Sequence, residues 1–173
     1  MNHSLAARRV FVALGANLGN KFEQLARARR AIAAVEGVND VRASSLYLSA
    51  AVGAREPQPD YVNAVLQFES AHEPLLLWRK LAEIEQALGR VRTGERNAAR
   101  NIDIDLLLVG SLVMDSAELT LPHPRMHERA FVLLPLIELD ASVEIPGRGL
   151  ASALKAKLAA QRCERVAESG AWS

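Results

Sequence analysis

"RNIDIDLLLVG", residues 100–110, sets two acids into a segment that otherwise reads as a core strand. Alternation puts Ile102, Ile104, Leu106 and Leu108 on one face and Asp103, Asp105, Leu107 and Val109 on the other. The two carboxylates therefore share a face. Two residues along a strand rise by roughly 6.6 Å, so the side chains converge where like charges repel unless cations lie between them. Hard cations such as Mg²⁺ suit such oxygen ligands. The competing reading is a strand end whose acids are salt-bridged to nearby arginines.

Upstream, "RVRTGERNAAR" (residues 90–100) carries four arginines in eleven residues and no apolar period, so it reads as a long loop. Before it, Pro74 suits a first helical turn, Leu77, Leu81, Ile84 and Leu88 form a stripe, and Gly89 ends the helix. Residues 61–68 alternate as a strand, with Val62, Ala64, Leu66 and Phe68 on one face and Tyr61, Asn63, Val65 and Gln67 on the other. Residues 49–60, with Gly53, Pro57 and Pro59, read as another long loop. Residues 38–48 look like one strand. Residues 21–35 read as a helix with Phe22, Leu25 and Ile32 inward, closed by Gly37. Residues 9–13 read as a first strand ending at the turn "GANLGN".

Downstream come short strand-like pieces, the turn "LPHPRMHER", an apolar helix over 131–139 and a last helix over about 150–164. The order β-α-β-β-α-β followed by helices predicts a ferredoxin-like α+β sandwich: helices on one face of an antiparallel sheet, with additional C-terminal helices. No repeat, linker or low-complexity segment interrupts it, and residues 1–173 are expected to form a single domain.

Half of the residues are hydrophobic and 24% are charged, as in globular chains, and the net charge of +1 gives no global signal for a polyanion. Arginine outnumbers lysine 17 to 4; the guanidinium fork suits phosphate, although GC-rich coding gives the same bias. Cys163 is alone, which excludes an internal disulfide and a cysteine metal cluster and fits a reducing compartment. The N-terminal apolar run is broken by Gly15 and Asn17 and no segment is long enough to span a bilayer. A soluble cytoplasmic monomer, with no membrane or nucleic-acid partner, is expected.

Gly15 and Gly19 are wrongly spaced for a phosphate loop, and no G-x-G-x-x-G is present. His123 and His127 flank Pro124 and so make no helical zinc pair. What remains is Arg90, Arg92, Arg96 and Arg100 running into Asp103 and Asp105. Arginines that neutralise phosphate oxygens beside carboxylate-held Mg²⁺ share the work of phosphoryl transfer in this way. A solvated charged loop is the plainer alternative.

"RNAARNIDIDLL", the downstream "LPHPRMHERAFVLLPLIEL", the early "VALGANLGN" and the central "QPDYVNAV" together resemble the 6-hydroxymethyl-7,8-dihydropterin pyrophosphokinase family over roughly residues 9–146. The resemblance implies transfer of pyrophosphate from ATP to the pterin hydroxymethyl group with release of AMP, in folate biosynthesis, with two Mg²⁺ ions. It implies Asp103 and Asp105 as metal ligands and Arg92 and Arg100 as the arginines that close over the phosphates, supported by Arg90. It implies triphosphate contacts from His123 and Arg129, with Glu85 near the nucleoside and Thr120 and Leu106 on the adenine side. For the pterin it implies an aromatic pair, Tyr61 and Phe131, and Asn63 at the ring's hydrogen-bonding edge; Asn17, Ser49 and Val52 are further pocket positions, and Asp103 faces the substrate too. A flat polar heterocycle suits two π-faces and an amide that both donates and accepts. The bland readings are a half-exposed strand tyrosine for Tyr61 and a core residue for Phe131.

The chain departs from the family pattern at Asn97, Ala98-Ala99, Pro124 and Ser49-Ala50-Ala51. None of these removes a metal ligand or a phosphate arginine; they bear on how the second loop closes. Neither long loop has an apolar period to bury it, so both are expected to close only around ligands. Two rival readings stand beside this one. Another Mg-dependent phosphotransferase or nucleotidyltransferase shares the acids and arginines but needs no pterin slot. A non-catalytic ferredoxin-like binding module for RNA needs exposed strand aromatics, and this chain is 5% aromatic with acids on the strand in question.

Overall fold

The computed structural model describes residues 6–51, 57–89 and 101–172. In chain order, β1 (Arg8–Ala16), α1 (Lys21–Ala33), β2 (Val38–Ala43), β3 (Leu46–Ser49), β4 (Tyr61–Ser70), α2 (Pro74–Ala87) and β5 (Asp103–Val109) make the β-α-β-β-α-β unit, with β2 and β3 together as its second strand. There follow β6 (Met114–Asp115), β7 (Thr120–Leu121), α3 (Ala130–Leu139), β8 (Glu144–Ile145), β9 (Gly149–Leu150), α4 (Ala151–Leu154) and β10 (Cys163–Ala167). The main sheet is antiparallel in the order β10-β3-β4-β1-β5, and β2 pairs with β4. This is the ferredoxin-like order with one extra edge strand.

Both faces of the sheet are covered. Val10, Val12, Leu14, Val62, Leu66 and Phe68 pack against Leu25 and Ile32 of α1 and Leu77 and Leu81 of α2. Phe11, Val65, Leu107 and Leu108 pack on the other side against Val132, Leu133 and Leu136 of α3 and Ala151 of α4. Each large apolar side chain so buried contributes about 1.5–3 kcal/mol. The apolar helix at 131–139 therefore forms a third layer, and helices are not confined to one face.

Four local expectations change. Phe22 is 46% exposed, leaving Leu25 and Ile32 as the inward residues of α1. The expected last helix is only one α-turn, then a short 3-10 turn and a strand: β10 pairs with β3 and covers what would otherwise be an open sheet edge. The first strand runs on to Ala16, so Gly15 is a strand residue and the turn starts after it. Leu108 leaves the face of Ile104 and Leu106, because Val12 pairs with Leu106 but Phe11 pairs with Leu108, leaving Leu107 outside the register. That bulge puts Leu107 and Leu108 on the α3 side and returns Val109 to the other core.

A second bulge breaks the strand expected at 38–48. Ala43 pairs with Leu66 and Tyr47 with Asn63, so one residue too many lies between them. Without it, alternation would turn Tyr47 and Ser49 toward α1 and α2; with it, they face α3. The bulge leaves Val65 N–H without its usual carbonyl, and Ser44 Oγ accepts it instead at 3.0 Å, while Ser44 N–H donates to Val65 O at 2.9 Å. Trp172 closes over this spot, its Nε1–H donating to Ser44 O at 3.0 Å, with Arg29 stacked on the ring. Ser44→Ala is expected to destabilise the protein by about 1–3 kcal/mol, since a buried N–H loses its acceptor. Urea unfolding checks this, and an unchanged midpoint would contradict it.

Candidate active site

The face that α3 partly covers is built in rows by strand pairing. Gly15 pairs with Asn63 on one side and Asp103 on the other, and Asn63 pairs with Tyr47. Tyr47, Asn63, Gly15 and Asp103 therefore form one row across four strands. One step along the strands, Ala13 lies between Val65 and Asp105; one step the other way, Tyr61 pairs with Ser49. The expected pterin residues Ser49, Tyr61 and Asn63 thus stand at one end of a band whose other end is the carboxylate pair.

Asn63 is 4% exposed and held by its amide nitrogen. Nδ2 donates to Ser49 Oγ at 2.9 Å and to Tyr47 O at 3.3 Å. Both of its hydrogens are engaged, so Oδ1 is what the amide offers a ligand. Toward the slot Asn63 accepts, which narrows the expectation that it both donates and accepts. Ser49, 3% exposed, acts by orienting that amide.

At the other end, Asp103 and Asp105 are both partly exposed on the shared face, as alternation requires. Between them, Ile104 N–H donates to Glu85 Oε1 at 2.8 Å. Glu85 is 3% exposed on α2, so it fixes the outer edge of β5 where the acids project. Leu106 lies in the α1 and α2 core, 3% exposed, with its side chain away from the carboxylate face. Thr120, in β7, donates to Asp115 Oδ1 at 3.2 Å.

His123 and Arg129 converge on Asp105. His123 Nε2 lies 4.0 Å and Arg129 Nη1 3.9 Å from Asp105 Oδ2. His123 N–H donates to the carbonyl of the bulged Leu107 at 2.9 Å, which fixes the turn beside β5. Burial, followed by the Arg129 charge, lowers the His123 pKa to about 4, against an opposing pull from Asp103. Its Nδ1 accepts Arg125 N–H at 3.2 Å, so in the neutral ring Nε2 carries the proton and donates toward anions. Arg129 also lies over the Phe131 ring, 5.6 Å from its centroid, so one guanidinium borders both Asp105 and that ring.

Two hard carboxylates on one exposed face fit a Mg²⁺ ion that keeps water or ligand oxygens for its remaining positions. Among the described residues no cluster of three His, Cys, Asp or Glu side chains is placed to hold a metal alone. Val52, Arg90, Arg92, Arg96 and Arg100 lie outside the described residues, as do the rest of 52–56 in the first long loop and the whole of the second, 90–100. The stem of the first loop is anchored. Asn17, 2% exposed, donates to Gln58 Oε1 and Pro59 O, Lys21 donates to Asp60 O, and Arg162 pairs with Asp60 at 3.2 Å. Asn17 is thereby a tie of the loop stem.

Sequence reasoning missed Glu138. Its carboxylate accepts from Tyr47 OH at 2.7 Å and from Ser45 N–H and Oγ–H at 2.9 and 2.7 Å, which joins α3, the carrier of Phe131, to β3. Burial and this bond push the Tyr47 phenol pKa upward, so it stays a donor. An acid near a helix end carries no signal for so distant a partner.

The family description 7,8-dihydro-6-hydroxymethylpterin-pyrophosphokinase matches residues 11–141. The chain belongs to this pyrophosphokinase family. The 2-amino-4-hydroxy-6-hydroxymethyldihydropteridine pyrophosphokinase of Haemophilus influenzae is 41% identical over 136 residues, covering 79% of this chain and 84% of the relative. That of Pseudomonas aeruginosa is 39% identical over 150 residues, covering 86% and 91%. A solved Plasmodium falciparum HPPK-DHPS structure shares the fold with a TM-score of 0.70 at 12% identity, over 90% of this chain and 45% of that one. The pyrophosphokinase match runs from within β1 to just past α3 and so contains the whole row of paired residues.

His123 offers a direct check. The unfolded chain binds this proton near the ordinary 6.5 and the folded one near 4, so its contribution to stability is whole above about 6.5 and is lost as pH falls toward 4. Imidazole ¹⁵N spectra of the metal-free protein should show the Nε2–H tautomer and a midpoint near 4. An ordinary histidine midpoint would contradict the burial and Arg129 effects.

Proposed function

We propose that this chain transfers pyrophosphate from ATP to the hydroxymethyl oxygen of 6-hydroxymethyl-7,8-dihydropterin, giving AMP and the pterin diphosphate for folate biosynthesis. The observation that carries the reading is the paired row, which sets an amide acceptor and a carboxylate two strands apart on one face. The heterocycle lies between Tyr61 and Phe131 with its N–H edge at Asn63 Oδ1, and its hydroxymethyl arm points toward Asp103. ATP lies along the Asp105 end, where His123 Nε2–H and Arg129 meet phosphate oxygens; the family resemblance assigns Arg90, Arg92 and Arg100 to the same phosphates. Glu85 supports this end by fixing β5, and Thr120 and the Leu106 backbone lie toward the adenine.

The hydroxymethyl oxygen forms a bond to the β-phosphorus, the bond from that phosphorus to the oxygen bridging to the α-phosphorus breaks, and AMP leaves with that oxygen. The hydroxyl proton passes to solvent. Two Mg²⁺ ions held by Asp103 and Asp105 would neutralise phosphate charge and lower the pKa of the attacking hydroxyl. The chain's own share is positioning: Asn63 sets the ring, His123 donates without adding charge, and Arg129 offsets charge on the phosphates. We extend the proposal to a cytoplasmic monomer forming one domain over residues 1–173. Among the described residues no helix is long and apolar enough to cross a membrane.

Phosphorus NMR of the protein with ATP, Mg²⁺ and the pterin tests the reading: AMP and a pterin diphosphate should appear together, and only when the pterin is present. Formation of ADP, or release of AMP without the pterin, would favour a different phosphotransferase. Asp103→Asn and Asp105→Asn should each cut turnover by about three orders of magnitude, several kcal/mol, with the melting temperature retained. Turnover within about tenfold of wild type for both would sink the metal assignment.

A further inference from the structure

We propose that Gly15 determines specificity for the pterin: its missing side chain makes the floor on which the ring lies between Asn63 and Asp103. The proposal rests on the pyrophosphokinase reading and adds to it a residue that the sequence presented as part of a turn.

A strand keeps glycine for one of two reasons, an unusual backbone angle or a close approach by another group. The first is absent here. The described glycines in the left-handed region are Gly19, Gly37, Gly89, Gly110, Gly147 and Gly149, and Gly15 is an ordinary strand residue paired on both sides. The second reason remains. A Cβ at Gly15 would stand 3.2 Å from Asn63 Oδ1 and 3.8 Å from Tyr61 Cδ1, and among the described residues nothing else comes within 4 Å. Among the described residues, the space above Gly15 is thus bordered by the two groups assigned to the ring and is otherwise open.

The neighbours on β1 sharpen the point. Along this face the residues shrink from Phe11 to Ala13 to Gly15, while β4 carries Val65, Asn63 and Tyr61 and β5 carries Leu107, Asp105 and Asp103. Side chains on the outer two strands therefore rise on either side of a strand that loses its own, which makes a trough. The trough deepens toward Gly15, where the amide oxygen and the first carboxylate face each other across it. Pairing places them two strands apart, about 10 Å between backbones, which suits a bicyclic ring with a one-carbon arm. A methyl at Gly15 would push on Asn63 Oδ1 and lift the ring off both partners.

The test is Gly15→Ala, read by separate kinetics for the two substrates. The KM for pterin should rise about tenfold or more while that for Mg·ATP stays within about twofold, in a variant that still unfolds cooperatively at a somewhat lower temperature. A folded variant with an unaltered pterin KM overturns the proposal, as does an equal loss for both substrates. Since the added methyl also presses on a buried amide, a wild-type measurement accompanies it: in the pterin complex, NOEs should connect the Gly15 Hα protons to ring and hydroxymethyl protons of the ligand. Saturating pterin without such NOEs overturns the floor and leaves the pyrophosphokinase reading intact. A wild-type protein that makes no AMP with the pterin overturns both.

Discussion

Pairing register at Gly15 is the constraint on which the site depends. Because β1 is hydrogen-bonded on both sides, one residue fixes Asn63 and Asp103 together. A slip of one residue would turn Asp103 and Asp105 into the core beneath α1 and α2 and bring Ile104 and Leu106 up to the surface. That would bury two carboxylates at a cost of several kcal/mol each and expose apolar side chains worth about 1.5–3 kcal/mol apiece. The same apolar alternation that builds the core therefore holds the polar face in place. Glu85 adds a local lock, since the edge amide of Ile104 has its acceptor only when β5 sits where it does.

The polar groups are specialised by their partners. Asn63 becomes an acceptor because Ser49 and Tyr47 take its hydrogens. His123 becomes a neutral donor because burial and Arg129 disfavour its cation while Arg125 N–H occupies Nδ1. Arg129 joins Asp105 to the Phe131 ring, so the anionic and aromatic parts share a side chain. None of these groups is arranged as a strong base, so the proposed transfer relies on holding two substrates in line.

Much of this was legible because two periods dominate the sequence. The alternation around Asp103 and Asp105, and that of Tyr61 and Asn63, already put each pair on one face, and Pro74 with the Leu77 and Leu81 stripe located α2. What was not legible turns on single residues that break a period. The Ser44 bulge and the Leu107 bulge each change which face follows, and neither residue type announces it. Gly15 resembled punctuation when its reason is space. The segment at 163–167 has the composition of a helix end but becomes a strand because β3 offers an open edge. The Glu138 bonds to Ser45 and Tyr47 depend on packing between α3 and β3, which sequence spacing does not encode.

The claim that register divides the face into a ring end and a phosphate end is tested most directly by calorimetric titration of Asn63→Ala with each ligand in turn. Pterin affinity should fall by roughly 1–3 kcal/mol, because the ring's N–H edge loses its buried acceptor, while affinity for a non-hydrolysable Mg·ATP analogue stays at the wild-type value. Equal losses for the two ligands, or a loss confined to the nucleotide, would contradict the account.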